Sequence, residues 1–149
     1  MSQPCATDAT KPHASTLVAD ILLTIVLNIF LFPGLAWVFY HSKSVIEGAV
    51  VGTEVFFGGV ICTLVVGTTG HFMATAGKSC KACIHRGNCP FLAIFFVGLA
   101  MGILCVIGSH LYFGNADVAF KSFLYLKVVQ GLFLGVAIPL CMDKMKLII

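Results

Sequence analysis

Apolar residues dominate four stretches of this chain, about Leu17–Tyr40, Val45–Thr69, Pro90–Tyr112 and Ser122–Met142. Polar residues collect between and outside them. Each stretch is at least 20 residues long. At about 1.5 Å of rise per residue, a helix of that length crosses a hydrocarbon layer roughly 30 Å thick. The pattern predicts an all-α integral membrane protein, an antiparallel bundle of four transmembrane helices with short loops. It divides into a polar tail (1–16), a four-helix domain (17–142; helices 17–40, 45–69, 90–112 and 122–142) and a short C-terminal tail (143–149). No internal repeat or low-complexity segment stands out.

Composition agrees. The 149 residues are 59% hydrophobic and only 10% charged, against about 25% charged in a soluble domain. Too little polar sequence remains to coat four buried helices in water. The loop His41–Ser44 is very short, which predicts that the first two helices are antiparallel neighbours. Pro33-Gly34 lies inside the first helix, where proline removes one backbone hydrogen bond and is expected to kink the helix, as membrane helices tolerate. Gly114–Lys121 reads as a turn.

Charge predicts the orientation. Lys11, Lys78, Lys81, Arg86, Lys144 and Lys146 fall in segments that share one side of an up-down bundle, and only Lys43 and Lys121 fall on the other. Basic residues concentrate on the cytoplasmic face, so both termini are expected on the cytoplasmic, matrix or stromal side. Trp37, Tyr40, Tyr112 and Phe113 are expected to ring the opposite interface. The net charge of +3 suits anionic lipid. With one Arg and no interleaving of basic and aromatic residues, nucleic acid is not an expected partner.

Three GxxxG pairs, Gly48/Gly52, Gly98/Gly102 and Gly131/Gly135, are candidate packing seams, because glycine lets helix backbones approach closely in lipid. In the third helix Gly98, Met101, Gly102, Cys105 and Ser109 share a face. Glu54 lies nine residues into the second run, about 14 Å along a helix and near the middle of the slab. A carboxylate there must be protonated, paired or wet. Lys127 and Gln130 on the fourth run reach similar depths, and Glu47 lies on the face of Glu54. These four form the expected intramembrane polar cluster, either an ion site or a structural pair. Asp20 is expected to favour the dipole at the start of the first helix.

The loop sequence Cys80-Lys-Ala-Cys83-Ile-His85-Arg-Gly-Asn-Cys89 holds four candidate zinc ligands, since Cys-x2-Cys lets two thiolates face one point. Acylation, a disulfide or plain thiols are alternatives. No other cofactor is expected. His41 and His110 at one end and His71 and His85 at the other invite a haem reading, but none sits well inside a run, so haem is not expected. Ser-His-Asp sets, phosphate loops and HExxH are all missing, and no catalytic residue is assigned. The leading expectation is a non-catalytic structural or assembly (accessory) subunit of a larger membrane complex, touching lipid and other membrane subunits through glycine-seamed helix faces. The alternatives are a small proton or cation transporter or channel centred on Glu54, and a redox or metal-binding membrane protein using the cysteine loop.

Overall fold

The structure, a computed structural model, describes the backbone of residues 13–76 and 90–148 and the side chains of 17–69 and 91–144. Its elements run α1 (His13–Tyr40), β1 (Val45–Ile46), α2 (Gly48–Ala76), α3 (Pro90–Phe113), β2 (Val118–Ala119) and α4 (Phe120–Ile148). All four helices are long and apolar enough to cross a membrane, over Leu17–Tyr40, Gly48–Thr69, Phe91–Phe113 and Phe120–Lys144. A helix meets every internal backbone polar group within its own segment, which suits sequences this poor in alternative partners. Pro90 opens α3, where its missing N–H costs nothing.

Two features of the connections depart from expectation. Residues 45 and 46 are not helical. They pair antiparallel with β2, Val45 opposite Ala119 and Ile46 opposite Val118. Phe120 N–H donates to Ser44 C=O at 3.0 Å, and Asp117 Oδ1 accepts from Gly48 N–H at 3.1 Å. The carboxylate of one connection thereby caps the helix that the other begins. Ile46 and Val118 plug the space beneath this clasp and are buried. At the exit of α3, Gly114 takes φ +65° and donates to His110 C=O at 2.8 Å. That left-handed helix stop favours glycine.

The second departure is in who packs on whom. The backbone of α1 lies against α4 rather than α2, and α2 lies against α3, while α2 and α4 join the two pairs. Small residues decide this. A Cβ at Gly135 would come 2.8 Å from Ile25 Cα, and one at Gly131 would come 3.1 Å from Asn28 C=O. On the other pair, a Cβ at Gly59 would come 2.9 Å from Gly102 Cα. The buried side of α1 is one ridge at four-residue steps, Thr24, Asn28, Phe32 and Ala36, laid against the α4 glycines. The buried side of α3 carries Gly98, Met101, Gly102, Cys105 and Ser109. Gly52 belongs to no seam, because a Cβ there meets nothing within 4 Å. Its partner Gly48 sits against the Asn115 carbonyl in the clasp, not against a helix.

The element order is a helix–strand–helix unit occurring twice, with each strand starting five residues after its helix ends. The first helix of each half packs on the second helix of the other. Few residues coincide when Val45 is aligned with Val118, among them Val55 with Val128 and Gly58 with Gly131. The repeat is therefore carried by topology and was not visible as sequence similarity.

Candidate functional site

A polar cluster lies where α1, α2 and α4 meet. Because α2 begins at Gly48, Glu54 is its seventh residue, about 9 Å from the helix start. That is shallower than the mid-slab position expected from counting Val45 as helical. Tyr40 at the end of α1 donates its hydroxyl to Glu54 Oε1 at 2.7 Å. Lys127 Nζ stands 3.7 Å from Glu54 Oε2 and donates to the Glu54 main-chain carbonyl at 3.1 Å. The lysine side chain is 3% exposed and the glutamate 40%. Phe123 and Phe32 place their rings 5.3 and 5.9 Å from the ammonium. The cation is thus met by a carboxylate, a carbonyl and two π faces. This is the kind of compensation a buried charge requires.

One turn further along α4, Gln130 donates from Nε2 to Val55 C=O at 2.7 Å. Since a carbonyl only accepts, this bond fixes which end of the amide is nitrogen. Gln130 Oε1 is sealed in the interior, with the Cys105 thiol beside the amide. Gly58 makes the approach possible, for a Cβ there would meet Gln130 Nε2 and Phe32 at 3.0 Å.

Of the four residues expected to cluster, Glu54, Lys127 and Gln130 are brought together on α2 and α4. Glu47 is not. It is exposed, and its carbonyl accepts from Val51 N–H at 3.0 Å, so it only introduces α2. The strand pairing of residues 45 and 46 is the reason. Asp20 is no first-turn residue either: α1 begins at His13, and Asp20 is exposed further along, where its carbonyl accepts from Thr24 Oγ1 at 2.7 Å.

Two participants escaped the sequence reading. Tyr40, expected in an interfacial belt, directs its hydroxyl to Glu54. Asn28 sits in the middle of the first run and accepts from Cys62 Sγ at 3.3 Å. A lone amide among apolar neighbours was the signal available for it. His41 stacks on Trp37, ring centroids 4.8 Å apart, and its Nδ1 is 3.0 Å from Trp37 C=O. Cys62 and Cys105 are buried free thiols. Among the described residues no three His, Cys, Asp or Glu side chains converge on one point. Cys80, Cys83, His85 and Cys89 lie outside the described residues, as does the side chain of His71.

Two cavities flank the cluster at matching places in the two halves. Between α1 and α2 an open crevice of about 270 Å³ is lined by Tyr40, Ala49, Val50, Thr53 and Glu54. Between α3 and α4 lies a larger one of about 690 Å³, whose walls include Leu104, Cys105, Gly108, Phe113, Val129 and Gln130. Aligning the strands places Tyr40 on Phe113 and Glu54 on Lys127. The ion pair therefore joins aligned positions of the two halves. The hydroxyl that ties α1 to Glu54 has no counterpart on the α3 side. Comparison with protein-family models, with curated proteins and with solved structures finds no match.

Proposed function

We propose that this chain is a multi-pass membrane protein, an antiparallel four-helix bundle with both termini on the cytoplasmic, matrix or stromal side, serving as a non-catalytic structural or assembly subunit of a larger membrane complex. One observation carries the reading. The buried ionisable group Lys127 is engaged by groups of its own chain, whereas bulky apolar side chains project outward from all four helices, Phe30, Phe57, Phe96, Leu111 and Val129 among them. Such faces contact acyl chains or other helices and little else. The antiparallel pairing of β1 and β2 supports an up-down order, and an even number of crossings returns the termini to one side.

The two inner glycine seams, Gly98/Gly102 and Gly131/Gly135, are taken up within the chain. Partners are therefore expected to dock on the outward Phe and Leu faces rather than on glycine. The test is the mass of the assembly extracted in mild detergent, with its subunits identified. A particle well above the 15.9 kDa chain containing other membrane proteins is expected. A particle made of this chain alone would remove the reading.

A second reading has its own support. The Glu54 side chain is partly exposed to the α1–α2 crevice, so a proton or small cation could reach the carboxylate without dismantling the bundle. Flux into liposomes that is present in wild type and absent in Glu54→Gln, with the fold intact, would favour that ion site over an assembly role.

A further inference from the structure

We propose that the two halves of this chain recognise each other through Glu54 and Lys127, backed by Gly59, Gly67 and Gly135, and that the same residues prevent either half from pairing with its like in a second copy of the chain. The halves are α1–β1–α2 and α3–β2–α4. The proposal goes beyond the assembly reading above and stands whether or not other subunits join.

Symmetry raises the question of partner choice. Aligning Val45 with Val118 carries Ile46 onto Ala119. The pair Val45–Ala119 then becomes Val118–Ile46, which is the other pair of the clasp. The clasp is therefore unchanged when the halves trade places. So are the two main packings, α1 on α4 and α3 on α2. Backbone geometry alone would thus let two N-terminal halves, or two C-terminal halves, build the same bundle. Side chains must choose.

Charge is the first discriminator. Glu54 and Lys127 occupy aligned positions and meet at 3.7 Å. Two N-terminal halves would set this carboxylate against its own counterpart. Two C-terminal halves would set ammonium against ammonium at a position that is 3% exposed. Like charges so placed repel, and neither has a counter-charge.

Shape is the second, and it is independent of the first. A Cβ at Gly135 would come 2.6 Å from Ile25 Cγ1 and 2.8 Å from its Cα. Cys62 is the residue aligned with Gly135, so a second N-terminal half would press a side chain into the α1 backbone. On the other pair, a Cβ at Gly59 would come 2.9 Å from Gly102 Cα, and one at Gly67 would come 2.7 Å from Ile94 Cγ2. The residues aligned with these are Leu132 and Leu140. A second C-terminal half would drive both leucines into α3. Gly58 and Gly131 coincide and choose nothing. Specificity therefore rests on the positions where the halves differ, each rejecting the wrong partner while fitting the right one.

The test uses the full chain with a protease site inserted within residues 77–89, made in two batches that carry different tags on each half. Both batches are cut, mixed in dodecyl sulfate and returned to phosphatidylcholine bicelles. Capture on one N-terminal tag is expected to bring down C-terminal halves of both batches equally, and the other N-terminal tag at least about tenfold less. N-terminal halves recovered with each other as readily as with C-terminal halves would overturn the proposal. So would cut halves that do not rejoin, since only their connection would then hold them. Two variants, each competed against wild-type C-terminal halves, assign the roles. Lys127→Glu gives the C-terminal half the charge of the other and should be captured about tenfold less, with Lys127→Met in between. Gly135→Cys writes the α2 residue into α4 and should be captured about fivefold less. Capture of both at the wild-type level would leave a symmetry without selection and sink the proposal. Should a variant not fold, the partner ratio of the wild-type halves decides alone.

Discussion

Lys127 binds Glu54 twice, once at the main-chain carbonyl (3.1 Å) and once at the carboxylate (3.7 Å). The first contact ties the ammonium to the α2 backbone, whatever the charge of the carboxyl group. The second neutralises it. A buried cation loses its water and must be compensated in place, so these contacts act together with the rings of Phe32 and Phe123.

Removing the carboxylate alone should therefore be harsher than removing both charges. Glu54→Gln is expected to cost about 3 kcal/mol by leaving an unpaired buried cation. Adding Lys127→Met should restore part of that loss. Thermal melts of the two single variants and the double variant, closed as a mutant cycle, check it. Simple additivity would mean the two side chains do not depend on each other.

Tyr40→Phe keeps the ring against Phe123, an edge contact with centroids 5.6 Å apart, and deletes only the hydroxyl that donates to Glu54. The expected cost is about 1–2 kcal/mol, that of one hydrogen bond to a charged acceptor. A loss as large as that of Glu54→Gln would show that the hydroxyl matters more than the ammonium.

The glycines separate cleanly. Gly135→Ala should destabilise by about 1–3 kcal/mol, since its methyl would meet the backbone of Ile25 at 2.8 Å and overpack the α1–α4 contact. Gly52→Ala meets nothing and should be neutral or stabilising by up to about 1 kcal/mol, the helix preference of Ala over Gly. Unfolding of both variants in the same detergent decides. Equal effects would contradict the packing described.

Asp117→Ala removes the carboxylate that accepts from Gly48 N–H. A cap of this kind is worth about 1 kcal/mol. The loss should appear as faster amide exchange in the first turn of α2, with the far end of that helix unchanged.

What could be read early follows from short-range physics. Helix formation follows consecutive apolar residues, so four helices were expected and four long apolar helices are found among the described residues, although α1 starts at His13 and α2 and α4 run on to Ala76 and Ile148, past the apolar stretches. That Glu54 would find a partner at a similar level on the fourth helix was legible too, since rise along a helix is fixed; the partner is Lys127, while Gln130 bonds Val55 instead. Gly52 was misread because a GxxxG spacing does not say which way the helix is turned. Val45 and Ile46 were misread as helical because an apolar dipeptide looks the same in a helix as in a strand.

The sequence by itself determined that four long apolar helices would form and that a few polar groups among them would need each other, because both depend on residues near in the chain and on the cost of uncompensated charge. Only the tertiary structure decided that α1 lies on α4 rather than on its neighbour in sequence, that Tyr40 directs its hydroxyl to Glu54, and that a cavity opens beside Gln130. Those outcomes depend on which glycine meets which backbone across distant segments, a matter of three-dimensional fit that no periodicity along a single strand of residues records.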